Sequence, residues 1–439
     1  MRSKVLPGPR IVLLLFLFAI GIGSSRCNAR GDWYNPITGQ RGCAEPPSAI
    51  DFWSSANGRP SVDHADLEAF LAKHPGAVNA KYGSYCGTPL YWAAERGRDD
   101  LAPLLIAHGA DLRARDKFGN TPLQTAATFG RANVMTVLLA SGADANASEP
   151  AERPPLLYAV DGSAMVPDLE TRLAATKLLL AAGADINARE PGSERTALIN
   201  AIGSGPGTNK EPMIELLLEH GADVRAHDSQ GVAALVWAVG TGNLKVVRLL
   251  LDRGADAHAS GKKDDAALGG GLNGAAGGGY ADIAALLIDR GADVNWRYIG
   301  PQRIDWYGLP LAVALTVARS ADKTTMARRR EVALALMAHG ADVNARNESG
   351  ETLLHAAAAD GDTAVLELLL PHGATIAARD RAGFTPLHRA VQKGHVDAAT
   401  RLIASGADAN AAAADGTTPL SLAAGDPEME ALIHRYAKD

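Results

Sequence analysis

The 439-residue chain is poor in most of what chemistry requires. It carries three cysteines, Cys27, Cys43 and Cys86, and no Cys or carboxylate partners at the spacing of a metal site. Aromatic residues make up 5% of the chain, and no long block of one charge sign offsets a mild formal net charge of -6, which argues against a nucleic-acid partner. The signatures GxSxG, HExxH and GxxxxGK are missing, and no Cys and His fall at positions where they could cooperate. Gly269-Gly270-Gly271-Leu272-Asn273-Gly274 formally fits GxGxxG, but no strand precedes it, so it is not a dinucleotide site. A non-enzymatic protein without a cofactor is expected. Nor does any apolar run reach the ~20 residues that span a bilayer.

The longest such run, Ile11 to Ile22, follows Arg2, Lys4 and Arg10 and precedes Gly23, Ser24 and Ser25. This pattern predicts a secretory signal peptide over residues 1–29, cleaved after Ser25 or after Ala29, and leaves no membrane-inserted segment in the mature chain. Arg26 ahead of Cys27 does not fit a lipid-attachment site. The protein is therefore expected to be exported, to the periplasm if bacterial and otherwise secreted. Cleavage after Ala29 leaves Cys43 and Cys86, either as a disulfide that staples the N-terminal segment to the body or as two thiols. Residues 30–48, with Trp33, Tyr34, Pro36, Pro46 and Pro47, show no helical or strand period and read as extended.

What the chain has in abundance is repetition. Thr385 to Asn410 encodes a complete unit: Thr385 caps a helix, Pro386 occupies its first turn, and Leu387 and Ala390 share a face. Gly394 breaks the run, Val396, Ala399, Leu402 and Ile403 form the stripe of a second helix, and Gly406 stops it. Gly-Ala-Asp turns at Gly109, Gly142, Gly183, Gly221, Gly254, Gly291, Gly340 and Gly406 mark the copies, with Gly76 leading the series and Thr375 replacing Asp after Gly373. From Gly76 to Gly109 to Gly142, and from Gly340 to Gly373 to Gly406, the step is 33 residues. Two short helices cannot bury their apolar faces alone, so such units must stack.

The turns, together with Thr88-Pro89-Leu90, Thr121-Pro122-Leu123, Thr385-Pro386-Leu387-His388 and Thr418-Pro419-Leu420, resemble ankyrin repeats. The resemblance implies an all-α solenoid over residues 49–439, about ten units including degenerate end caps, with β-turn fingers and a concave face that usually binds another protein. A monomeric interaction module or scaffold is expected, its partner a protein; the alternative is a regulator that blocks an exported enzyme with a long finger. His388 matches the family slot in which the ring bonds around its own turn. His355 occupies the same slot one repeat earlier, and stacked helices ~8–10 Å apart do not suit a shared zinc. His108, His220, His339 and His372 precede turn glycines, where they can meet the last helix carbonyls.

Departures from the regular copy mark where a partner would be read. Extra residues fall between paired helices around Asp161 to Glu170, Gly203 to Lys210 and Val317 to Arg328, and in fingers between Gly254 and Leu272 and between Gly291 and Leu311. The last of these reads WRYIGPQRIDWYG and places Trp296, Tyr298, Trp306 and Tyr307 in one loop, a candidate partner-binding patch. By repeat position Lys117, Phe118, Arg381 and Phe384 belong on fingers and Phe129 at the end of a first helix, all candidate contacts. Tyr91, Trp92, Tyr158 and Trp237 are expected to pack on the next repeat. Gly269 to Gly279 predicts a weak helix and a soft joint. Arg328, Arg329 and Arg330 read as a solvated face, and Asn146-Ala147-Ser148 and Asn347-Glu348-Ser349 as glycan acceptors only in a eukaryotic secretory host.

Overall fold

The computed structural model describes residues 26–27, 33–34, 64–81, 85–148, 152–161, 168–203, 210–258, 270–296, 308–316 and 323–437. The chain divides into two compact units, Met1–Pro122 and Leu123–Asp439. In the first, two-residue strands β1 (Arg26–Cys27) and β2 (Trp33–Tyr34) pair antiparallel. Apart from these, the residues assigned to the signal peptide and to the extended segment lie outside the described ones.

Helix α1 (His64–Lys73) and a 3-10 turn (Pro75–Asn79) open the array as a degenerate unit, followed by α2 (Pro89–Arg96) and α3 (Ala102–Ala107). α2 begins where its sequence dictates. Thr88 is extended and its hydroxyl accepts from the Tyr91 N–H, Pro89 gives up an N–H that would have been orphaned, and Gly97 ends the helix at φ 73°. Leu67, Leu71, Leu90 and Leu105 are fully buried and form the core of this unit.

The second unit repeats the helix pair. It runs from α4 (Pro122–Thr128) and α5 (Ala132–Ala140) through α6 (Pro155–Val160) and α7 (Leu169–Ala181) to α8 (Ala197–Gly203) and α9 (Glu211–Glu219). There follow α10 (Ala234–Thr241), α11 (Leu244–Asp252), α12 (Gly271–Gly278), α13 (Ala281–Asp289), α14 (Pro310–Thr316) and α15 (Lys323–Ala338). The last are α16 (Leu353–Asp360), α17 (Thr363–Leu369), α18 (Pro386–Gln392), α19 (Val396–Ala404), and the capping pair α20 (Pro419–Leu422) and α21 (Pro427–Tyr436). First helices pack on first helices, as α8 on α10 and α16 on α18, and second helices on second, as α5 on α7 and α17 on α19. The expected all-α solenoid is what the chain forms.

Polar side chains stitch each repeat to its successor. The Asn344 amide donates to the Gly373 carbonyl at 2.9 Å and accepts from the Thr375 N–H at 2.8 Å. Asn79, Asn146 and Asn295 clamp the turns at Gly109, Gly183 and Gly340 in the same two-point manner. Asn146, one of the two possible glycan acceptors, is thus engaged, and Asn347, the other, is buried and caps its own finger through the Glu351 N–H. Along the finger row the Arg346 guanidinium donates to the carbonyls of Gly350 and Arg379, and Arg379 donates to those of Gly383 and Ala412.

The glycines of α12 are sites of close approach. A Cβ on Gly274 would lie 3.3 Å from Val239 of α10, and one on Gly277 would lie 3.5 Å from Val313 of α14, so this helix sits between close neighbours. Gly279, at φ 69°, backs onto Arg328, and Arg329 Nε donates to the Gly277 carbonyl at 2.7 Å. The Arg328 to Arg330 run is therefore not simply a solvated face: Arg329 and Arg330 are half-buried, and one of them caps the end of a neighbouring helix.

Candidate functional site

Finger geometry in the first unit is fixed by Asp116, whose buried carboxylate accepts from the N–H groups of Phe118 and Asn120, both at 2.8 Å. The Asx turn leaves Phe118 at the tip with 62% of its surface exposed. The Lys117 N–H donates to the Tyr85 carbonyl at 2.8 Å, so the preceding finger lies alongside. Tyr85 and Phe118 rings stand 5.9 Å apart, and Lys117 Nζ lies 5.0 Å from the first and 4.9 Å from the second. Trp92 on α2 extends the cluster, edge-on to Tyr85 at 6.1 Å and to Tyr91 at 5.3 Å, with the Arg96 guanidinium 5.8 Å from its ring. Tyr91 is buried, and burial raises its phenol far above the ordinary range, with Glu95 next in effect.

The result is a solvent-facing patch of aromatic faces and cations, which suits carboxylates, carbonyls and flat apolar groups together. Lys117 and Phe118 were legible by repeat position. Tyr85 was not, because no finger motif precedes it; its signal is the ring it contributes four residues ahead of Pro89. Trp92 was expected to pack rather than to face outward, and it does both, being half-buried.

In the second unit the cations return over the rings of the first helices. Arg153 lies 5.2 Å from the Tyr158 ring and pairs with Asp161 at 2.9 Å and Glu190 at 2.7 Å. Arg195 lies 4.3 Å from Trp237, whose indole N–H donates to Asp228 at 3.1 Å. The ring sits 3.4 Å from the Cβ position of Gly203, so Trp237 packs on the preceding repeat; the space comes from the glycine that ends α8. Phe384 is half-buried, stacked on the His388 ring at 5.2 Å and 9°, with Arg389 5.1 Å from its centre. Arg389 also joins Asp380 at 2.6 Å and Glu351 at 2.9 Å. Arg381 is exposed on the finger, and Phe129 is half-buried just past the end of α4.

Trp296 is half-buried at the base of the long finger, its ring 3.4 Å from the Cβ position of Gly270. Tyr298, Trp306 and Tyr307 lie outside the described residues, as does Cys43. Cys86 is disulfide-bonded, and its backbone has φ 51°.

His355, His388, His220, His339 and His372 are structural. The Nδ1 of His355 accepts from the Thr352 N–H at 3.1 Å, which leaves the proton on Nε2 to donate to the Phe384 carbonyl at 3.0 Å. His388 does the same with the Thr385 N–H and the Thr417 carbonyl. Both rings are fully buried, and desolvation lowers their pKa values. His220, His339 and His372 each bond the carbonyl four residues back at 2.8 Å, closing a helix end. Among the described residues no group of three His, Cys, Asp or Glu side chains is placed to hold a metal, and no helix is long and apolar enough to cross a membrane.

No curated protein matches the chain. The model of a family described as ankyrin repeats matches it three times, at residues 63–149, 169–260 and 325–413, together more than half its length. With those matches falling on the helix pairs, glycine turns and interlocked fingers described above, the chain belongs to the ankyrin-repeat family, whose members serve as protein–protein interaction modules.

Proposed function

We propose that the protein is an exported scaffold that binds a protein partner, without a cofactor and as a monomer, through the aromatic and cationic patch formed by Tyr85, Trp92, Lys117 and Phe118. The observation that carries this reading is the exposure of Phe118 and Tyr85 around a single ammonium group. A monomeric protein gains nothing in stability from a finger-tip phenylalanine in water, whereas buried in an interface the same ring is a natural anchor. The partner segment is one that offers an acidic or carbonyl-rich edge to Lys117 and Arg96 and a flat face to the rings.

Export to the periplasm, or secretion, is supported by the apolar run after Arg10 and by the Cys86 disulfide, a bond that persists in oxidising compartments. Cys43 is the proposed other half. Trp296, Tyr298, Trp306, Tyr307, Phe129, Arg381 and Phe384 are the partner contacts proposed for the second unit taken by itself.

The test is crosslinking and capture from the exported fraction with the intact protein and a Tyr85→Ala/Phe118→Ala variant. Loss of a captured protein from the variant at unchanged helical content is expected; an identical captured set would remove the patch from the reading. If instead shortening the finger at 296–308 abolishes capture and releases an enzyme activity, the protein is a regulator.

A further inference from the structure

In the turns at Gly183, Gly221, Gly340 and Gly373 the N–H two residues past the glycine donates to an asparagine of the preceding turn. Asp185, Asp223, Asp342 and Thr375 reach Asn146, Asn187, Asn295 and Asn344 in this way, at 2.7 Å, 2.8 Å, 2.7 Å and 2.8 Å. Each asparagine stands four residues past its own turn glycine, a place that Arg225, His258 and Ala377 also hold in the second unit. At the turn of Gly254 the clamp is therefore half made. Arg225 Nε donates to the Gly254 carbonyl at 3.3 Å, but a guanidinium has no acceptor to offer. The Asp256 N–H, which corresponds to that of Thr375, is left without a partner among the described residues.

The same residues surround an open cleft of about 440 Å³. Arg225, Asp256, His258 and Arg290 line it, together with the buried Leu251 and Ala257. Of the charged or titratable side chains among these lining residues, three are basic and Asp256 alone is acidic. The Asp256 carboxylate is turned to its own turn, accepting from the His258 N–H at 2.9 Å and lying 3.3 Å from His258 Nδ1. Arg290 reaches out of the cleft through one Nη, to Asp252 at 2.7 Å. Both Nη groups of Arg225 are without a protein partner among the described residues.

The repeat supplies its own comparison. Ala377 gives up the clamp without adding charge, whereas Arg225 gives up its acceptor half and brings a cation to a cleft that two more basic side chains line. A residue that breaks a local rule of its fold without a structural gain marks a place kept for another purpose. The donors left open, a guanidinium fork and a backbone N–H, are those that a carboxylate takes.

We propose that the cleft at Gly254 binds a carboxylate, held by Arg225 and the Asp256 N–H where the asparagine oxygen is missing, with Arg290 and His258 adding charge. The carboxylate belongs either to a free dicarboxylate or to an acidic side chain of a bound protein. The site lies in the second unit and stands independently of the patch at Tyr85.

The experiment uses the whole purified chain and amide-resolved NMR spectra at constant ionic strength. Sodium glutarate should move the Asp256 amide along a saturating curve in the millimolar range, as suits an exposed ion pair. Arg225→Asn, which supplies the asparagine of the regular turn, should weaken binding about tenfold and raise the melting midpoint by roughly 1–2 °C as the clamp closes. Asp256→Asn, which removes the acid from the lining, should tighten binding several-fold. A blocked tripeptide with a central glutamate tells the two sources apart: binding as strong as that of glutarate assigns the site to a protein side chain, and binding of glutarate alone to a free dicarboxylate. Unchanged affinity in Arg225→Asn overturns the proposal. So does a lower midpoint in that variant, which would show that the arginine serves the fold, and so does inorganic phosphate moving the Asp256 amide as strongly as glutarate, which would mark attraction by charge alone.

Discussion

The Nε2 of His355 donates to the carbonyl of Phe384, 29 residues further on, while its Nδ1 accepts from the Thr352 N–H that opens its own helix. One neutral ring thus closes a helix start and ties one finger to the next, and His388 repeats the arrangement.

Because both imidazoles are held neutral, acid should loosen the C-terminal repeats. The folded-state pKa values lie below the ordinary 6.5, so the unfolded chain binds more protons at mildly acidic pH. The contribution is fully present above pH 6.5 and is lost as pH falls from there through the folded-state values. Urea midpoints measured between pH 8 and pH 5 should fall toward acid, and His388→Gln should flatten the dependence. A profile unchanged by that substitution would contradict the assignment.

Asn344→Ala should destabilise the protein by ~1–2 kcal/mol, since two bonds to the turn at Gly373 go with it. Asn344→Asp separates the two: it keeps an acceptor for the Thr375 N–H and loses only the donor to Gly373. Denaturant unfolding of both variants checks the order, with alanine the more severe.

The glycines of α12 should respond in opposite ways. Gly277→Ala meets only ordinary contact with Val313 and gains helix propensity, so it should stabilise by up to ~1 kcal/mol. Gly279→Ala forces a Cβ into the left-handed region and within 2.9 Å of Arg328, at a cost of ~1–2 kcal/mol or more. Thermal melts distinguish the signs. In the unaltered protein, amide exchange within 271–278 should be faster than within 386–392; equal protection would show that packing and the Arg329 cap fully offset the glycines.

Phe118→Ala should change stability by no more than ~0.5 kcal/mol, because the ring is largely in water. Trp237→Ala should cost several times as much, about 2–4 kcal/mol, through the loss of its contacts with Gly203, Arg195 and Asp228. Parallel melts of the two variants separate a ring kept for binding from one kept for packing.

The fold was legible because its signals are local. Thr385 caps and Pro386 starts α18 as the residue types require, and Gly406, at φ 97°, ends α19. The histidines were equally readable, since the slot before a turn glycine or after Thr-Pro-Leu leaves the ring few partners. What escaped depends on which neighbour a side chain meets. Trp237 turned to the preceding repeat because Gly203 leaves room there, and Arg329 found a helix end 52 residues away. Tyr85 became part of the candidate surface through a backbone bond from Lys117, a finger-to-finger step of 32 residues that recurs from Arg381 to Ser349. The asparagine clamps stand three or four residues after their turn glycines, and only their distances disclose two bonds apiece.

Those clamps have a consequence for how the gene can change. Arg346 reaches Arg379 and Arg379 reaches Ala412, each step being one period of the chain. Excision or duplication of a single period in this stretch would hand every donor an equivalent acceptor, leaving no seam. The asparagine itself is not kept in every copy, Arg225, His258 and Ala377 standing in its place, so the arginine row rather than the asparagine carries this interchangeability. The repeats from Arg346 to Ala412 can therefore change in number by whole periods.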